Sequence, residues 1–308
     1  MKNMNWLLVL GCLFGYGVVH AGEVAMIEKA SEVALAEPSL AEPSLGGLIV
    51  DGSISGWSEL DGSGGDVRYS GFGVMAQVLI FNFGYAQKYF EWEHVDKLPF
   101  GDGVTDPWNE LHELSLGIGY GGAINEQWSW FGDAGVFSAH EQDVDGSFGY
   151  YAAAGGVYAL NADWQLALGA AGAGYRKVQT KWSMFPMLGI TWRDAAENGL
   201  SLTLGYPESL ITYHFYKRAS LSAFMANDGT VYRLDDDSTV VAEGYMETDF
   251  KLIGVSLELG LSDSVSLSLS VDYGLDGTLR TFDTDGDYLE HYDVGSVPRG
   301  KITLVWMM

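Results

Sequence analysis

The chain has 308 residues, 47% of them hydrophobic and 13% aromatic, with 41 glycines, seven prolines and a single cysteine. Sixteen Lys and Arg stand against 41 Asp and Glu, a formal charge of −25, which excludes the basic face that nucleic-acid binding requires. Cys12 falls inside the N-terminal apolar stretch, so the remainder has no disulfide, thiol nucleophile or thiolate metal site.

Residues 1–21 carry one Lys, an apolar core and Val19-His20-Ala21 before Gly22, the pattern of a secretory signal peptide cut after Ala21. A competing reading takes Val9-Leu10-Gly11-Cys12 as a lipoprotein box, but that would cut the apolar core short. Residues 22–45 begin as a short amphipathic helix and continue into two copies of Ala-Glu-Pro-Ser-Leu. Proline holds itself and its predecessor extended, so the repeat is expected to be a semi-rigid linker.

From residue 46 to residue 308 period-two runs recur, the signature of strands with one apolar and one polar face, although 47–58 alternates poorly and 83–94 carries aromatic residues on both faces. Phe72, Val74, Ala76 and Val78 alternate with Gly71, Gly73, Met75 and Gln77; Leu114, Leu116, Ile118 and Tyr120 alternate with Glu113, Ser115, Gly117 and Gly119. The longest run is 252–273. There Val255, Leu257, Leu259 and Leu261 face away from Ser256 and Glu258, and Val265, Leu267, Leu269 and Val271 face away from Ser266, Ser268, Ser270 and Asp272. Such runs are long enough to cross a tilted bilayer core. Short turns, such as 161–163, alternate with longer acidic tips at 140–147, 235–238 and 283–287. This is the asymmetry of a transmembrane barrel, with tight turns at one rim and loops at the other.

The last strand alternates Ile302, Leu304, Trp306 and Met308 with Lys301, Thr303, Val305 and Met307. With the leader and the alternation, this terminus resembles bacterial outer-membrane β-barrel proteins of the porin-like class, although two methionines follow the expected final aromatic. The resemblance implies a location in the bacterial cell outer membrane, contact with its lipid, and recognition by the barrel-insertion machinery. The expected fold is an all-β antiparallel transmembrane barrel. Roughly 20 residues per strand and connection, and an even number, give about 12 strands, with 14 as the alternative. The count turns on 199–215, where Pro207 marks a tip or a kink.

The expected function is a narrow channel or passive transporter for small hydrophilic or cationic solutes. Alternation places Lys88, Glu91, Glu113, Glu258 and Asp272 as its lumen residues, and Ala167, Gly169, Ala171 and Ala173 as a small-residue lining. The alternative is a closed barrel with a structural or surface-binding role through its acidic loops. Asp283, Asp285 and Asp287 offer hard oxygen ligands at a glycine-containing turn, a candidate calcium site, though not in EF-hand order. No other cofactor and no catalytic residue is expected. A third reading, a lipid-modifying enzyme, would centre on Ser138 and His140, two residues apart and thus on one face, with Glu141 and Asp143 near; the longer motifs of barrel hydrolases are absent around it, and catalysis needs a base, an orienting group and an oxyanion site together.

Overall fold

The computed structural model describes residues 46–178, 184–194, 199–216 and 218–308. The leader and the helix-linker segment lie outside the described residues. Sixteen strands follow one another: β1 (Gly46–Ser55), the two-residue β2 (Ser58–Glu59), β3 (Asp66–Val78), β4 (Phe81–Glu93), β5 (Glu110–Ala123), β6 (Trp128–His140), β7 (Phe148–Ala159), β8 (Trp164–Tyr175), β9 (Met184–Arg193), β10 (Leu200–Tyr206), β11 (Ser209–Tyr216), β12 (Ala219–Arg233), β13 (Tyr245–Gly260), β14 (Val265–Phe282), β15 (Tyr288–Val294) and β16 (Val297–Met307).

Fourteen of these form a closed antiparallel wall, β1 pairing with both β3 and β16, while β2 and β15 add short pieces at the loop rim. The wall therefore has 14 strands, the alternative to the first count of about 12. Pro207 sits at a tip, and the hairpin it closes fits two strands into 200–216, fewer residues than an average spacing allots.

Side chains alternate across the wall as the pleat requires. Outward positions are apolar and exposed: Phe83, Leu116, Val136, Leu188, Leu221 and Val271 each leave 40–62% of their surface open. Trp128, Trp164, Trp192 and Trp306 point outward near the short-turn rim; Tyr89, Tyr150, Tyr206 and Tyr273 do so towards the loops. Val265 pairs with Trp306 and Tyr273 with Pro298, so the rows are some 26 Å apart along β14 at ~3.3 Å per residue, or about 20 Å in height at a ~40° tilt. An apolar belt of that height between aromatic girdles is the surface of a wall that crosses a bilayer. In water it would be an aggregation surface.

The tall strands do not stay in the wall. Opposite Phe250 of β13, β14 carries two residues, Asp276 with φ 48° and Gly277. This extra residue reverses the alternation: Leu269 and Leu275 face lipid, whereas Leu279 is 4% exposed on the inside. Above this level β12 leans across the mouth and pairs in parallel with β6, Arg233 opposite His140, passing over the five intervening strands. Glu141 N–H donates to Arg233 O (2.9 Å), and Asp235 N–H to Glu141 Oε2 (3.0 Å). Beneath that crossing Leu60, Phe100, Trp108, Leu111, Leu234, Met246, Leu279 and Tyr292 make a buried apolar cluster. The loop side of the barrel thus carries a cap with its own core.

Candidate functional site

Below the cap the interior becomes polar. Lys88 on β4 places Nζ 3.0 Å from the Tyr232 hydroxyl and 3.4 Å from Glu113 Oε1, and that hydroxyl donates to the same carboxylate. These three side chains tie the leaning end of β12 to β4 and β5.

A second layer follows, set by cross-strand register. Asp272 and Arg299 are direct partners on β14 and β16. Arg299 donates from Nε to Asp272 Oδ1 (2.7 Å) and from Nη1 to Asp228 Oδ2 (2.7 Å), reaching β12 across the lumen side of β13 and β14. Two positions on, Lys301 Nζ stands 3.5 Å from Asp51 Oδ2 of β1. A small cavity, partly open to solvent, lies against this layer, lined by Asp51, Ser53, Tyr69, Lys88, Asp228, Asp272, Arg299 and Lys301 among others. Charges buried this far from water are tolerable because each has a partner at bonding distance.

Across the ring the wall is different. Ala153, Gly155, Ala167, Gly169, Ala171 and Gly189 face inward on β7 to β9. The larger rings there lie over neighbouring glycines: a Cβ on Gly135 would come within 2.6 Å of the Tyr151 ring, and Phe131 and Phe137 cover Gly155 and Gly149 in the same way. Rings laid along the sheet leave the lumen space that upright rings would fill.

The sequence-based lumen residues divide. Lys88, Glu113 and Asp272 are inside and largely buried, and Glu258 shares the inward register of Ser256, with Ser220 and Ser268 as its Cα partners. Glu91 is a correction: it is outside, 61% exposed, paired with Arg68 at 2.5 Å. Lys88 and Glu91 are three residues apart on one strand, so the pleat sends them to opposite faces. Asp51, Asp228, Arg299 and Lys301 were not singled out in the sequence. The parity that turns Lys301 away from Ile302 also turns Arg299 inward; the partner across the lumen has no local signal.

The acidic tips serve the loops. Asp283 Oδ1 accepts N–H groups from Asp285 and Asp287 (2.9 Å each), so its carboxylate closes the turn that the calcium reading used. Among the described residues the acidic group that gathers its oxygens within 4.8 Å is Asp143, Asp235 and Asp236, and there Arg233 already contacts Asp236 at 2.6 Å. In the 94–109 loop Asp102 is held below the ordinary carboxyl value, chiefly by the Thr105 N–H and then by the Val104 N–H and the Thr105 hydroxyl. Ser138 and His140 do meet, Oγ to Nδ1 at 2.9 Å, but both are buried and Ser138 Oγ is also 2.5 Å from Ser147 Oγ. This contact pins the 141–147 loop to the top of β6.

No family model matches the chain, and no curated protein matches it. Solved structures of similar outline include the toluene transporter TodX of Pseudomonas putida, 9% identical, covering all of this chain and 99% of the other with a TM-score of 0.46. The COG4313 outer membrane channel of Pseudomonas putida F1 is 8% identical over 87% of this chain and 97% of that one, TM-score 0.44. The KdgM porin is 10% identical over 84% and 99%, TM-score 0.36. At these scores they identify no relative, and the membrane assignment stands on the outward apolar belt itself.

Proposed function

We propose that the protein is a passive channel in a bacterial outer membrane, narrowed on its loop side by the cap, for small hydrophilic solutes. One observation carries this: at mid-height the 14-stranded wall encloses paired charges, Arg299 with Asp272 and Asp228 and Lys301 with Asp51, beside a small cavity. Small barrels fill their interior with side chains, and larger ones leave a path. The cap core closes the mouth from β12 through the seam to β6, and Tyr175 at the end of β8 and Val178 beyond it pack against Val231, Tyr245 and Phe282.

Lysines and arginines of the lumen layer are matched by carboxylates, so they give little preference for ion sign. The loop rim supplies one. Exposed Asp102, Asp145, Asp237 and Asp285 attract cations over about a Debye length, ~8 Å at physiological salt. The refolded protein in a planar bilayer is expected to give discrete current steps with a modest cation preference that fades near 1 M salt. Absence of steps over a range of voltages and salts would overturn the channel reading, and anion preference would overturn the role of the rim.

A further inference from the structure

The two sides of the lumen are made for different chemistries, and they face each other. In a ring of 14 strands β16 and β8 are seven places apart, as are β1 and β9. The ion-paired layer on β14, β16 and β1 therefore stands on the opposite arc of the ring from Ala167, Gly169 and Ala171 of β8 and Phe185, Met187 and Gly189 of β9. At that height β8 and β9 present no charge.

We propose that the lumen binds and passes small zwitterions with an apolar body, molecules that carry an ammonium and a carboxylate at one end and a hydrocarbon or aromatic group at the other. The proposal rests on the channel reading above. The ion-paired layer decides the head group. A lone anion taking Lys301 would strip Asp51 of its partner, and a lone cation taking Asp51 would strip Lys301; an abandoned buried charge is strongly unfavourable. A zwitterion gives each released group a new partner of the right sign. Lys301 and Asp51 are the pair most open to this exchange: at 3.5 Å they lack the tight contact of Arg299, which is held at 2.7 Å on two sides. The apolar body then lies towards the alanine and glycine surface, where it leaves water without burying any polar group of the protein.

Block of ion current through the refolded full chain tests this. L-Phenylalanine is expected to reduce current saturably at millimolar concentration, while phenylacetate, 2-phenylethylamine and glycine at equal concentration do not. The double variant Asp51→Asn/Lys301→Gln removes both charges together, leaves neither unpaired, and is expected to weaken phenylalanine block about tenfold, the effect of losing hydrogen bonds to charged groups. Ala171→Asp, on the facing wall, is expected to weaken it as well. Equal block by phenylacetate or phenylethylamine, or unchanged block in the double variant, would overturn the proposal and leave the channel standing. Absence of current in any condition would remove the channel and the proposal with it.

Discussion

β13 and β14 run 16 and 18 residues, whereas β10 and β11, close by in the same ring, run seven and eight. Up to the outer aromatic row the two hairpins obey one rule, apolar outward and polar or small inward: Leu204 and Ile211 face lipid as Val255 and Leu269 do. Above that row the short hairpin has already turned at Pro207, and the tall one has reversed. Leu269 and Leu279 belong to one strand and share parity in sequence, yet one is 42% exposed to the outside and the other 4% exposed in the cap. The difference shows that the wall and the cap are governed by opposite solvents: lipid outside the first, water outside the second. The residue inserted at Asp276 and Gly277 is the point at which the chain changes from one to the other.

The contrast breaks most severely at the cap core. Leu279→Ala should cost about 2–5 kcal/mol, the usual range for truncating a buried leucine, measured by denaturant unfolding in detergent. Leu269→Arg, ten residues below on the lipid face, should cost about 2–4 kcal/mol if it lies at the midplane and lower the folded yield in vesicles; Ser270→Arg, turned inward beside it, should insert normally. Equal tolerance of the two arginines would contradict the assigned faces.

Loosening the cap without cutting its core is a finer test. Tyr232→Phe deletes the hydroxyl that Lys88 and Glu113 share, with an expected loss of about 1–3 kcal/mol for buried polar groups left short of a partner. Noisier, larger single-channel steps should accompany it. In the short hairpin the sign is opposite. Glu208 is buried, and its Oε1 has no hydrogen-bond partner, so Glu208→Leu should raise stability by roughly 1 kcal/mol, read as a higher denaturant midpoint.

The smallest expected effect is at the crossing of β6 and β12. Burial is the main cause lifting the Glu141 carboxyl above its ordinary value; the Asp235 N–H pulls the other way, and the charges of Asp235 and Asp237 add to the rise. A carboxyl raised in the folded state holds its proton longer there than in the unfolded chain. Stability from this group is therefore greatest below about 4.5 and declines as pH rises through the folded value. Subtracting the melting profile of Glu141→Gln from that of the parent between pH 4 and 7 should show that slope, and a flat difference would remove Glu141 as its source.

Much of the wall was legible in the sequence because period two is a local property. Lipid outside a barrel makes each strand repeat the same alternation, and the runs at 114–120 and 265–273 mark their own faces. The strand number was less so, since dividing length by an average spacing hides one compact hairpin at 200–216. Glu91 was misplaced where aromatic residues occupy both faces of β4, leaving only the parity from Lys88 to decide. Leu279 reads as lipid-facing until the bulge below it is known. The ion-paired layer was the least legible part. Asp228 and Arg299 are 71 residues apart, and what brings them together is the lean of β12, a property of the cap and not of either strand.

The seam between β1 and β16 bears on the order in which the protein is made. Gly47 to Ser55 pair with Met307 to Arg299, and Met308 N–H donates to Gly46 O at 2.9 Å. Until β16 has been synthesised and has reached β1, both margins of the sheet expose rows of unmatched backbone groups, open to pairing with any other nascent strand. Ring formation is then a single late event between the most distant parts of the chain, slow by its topology.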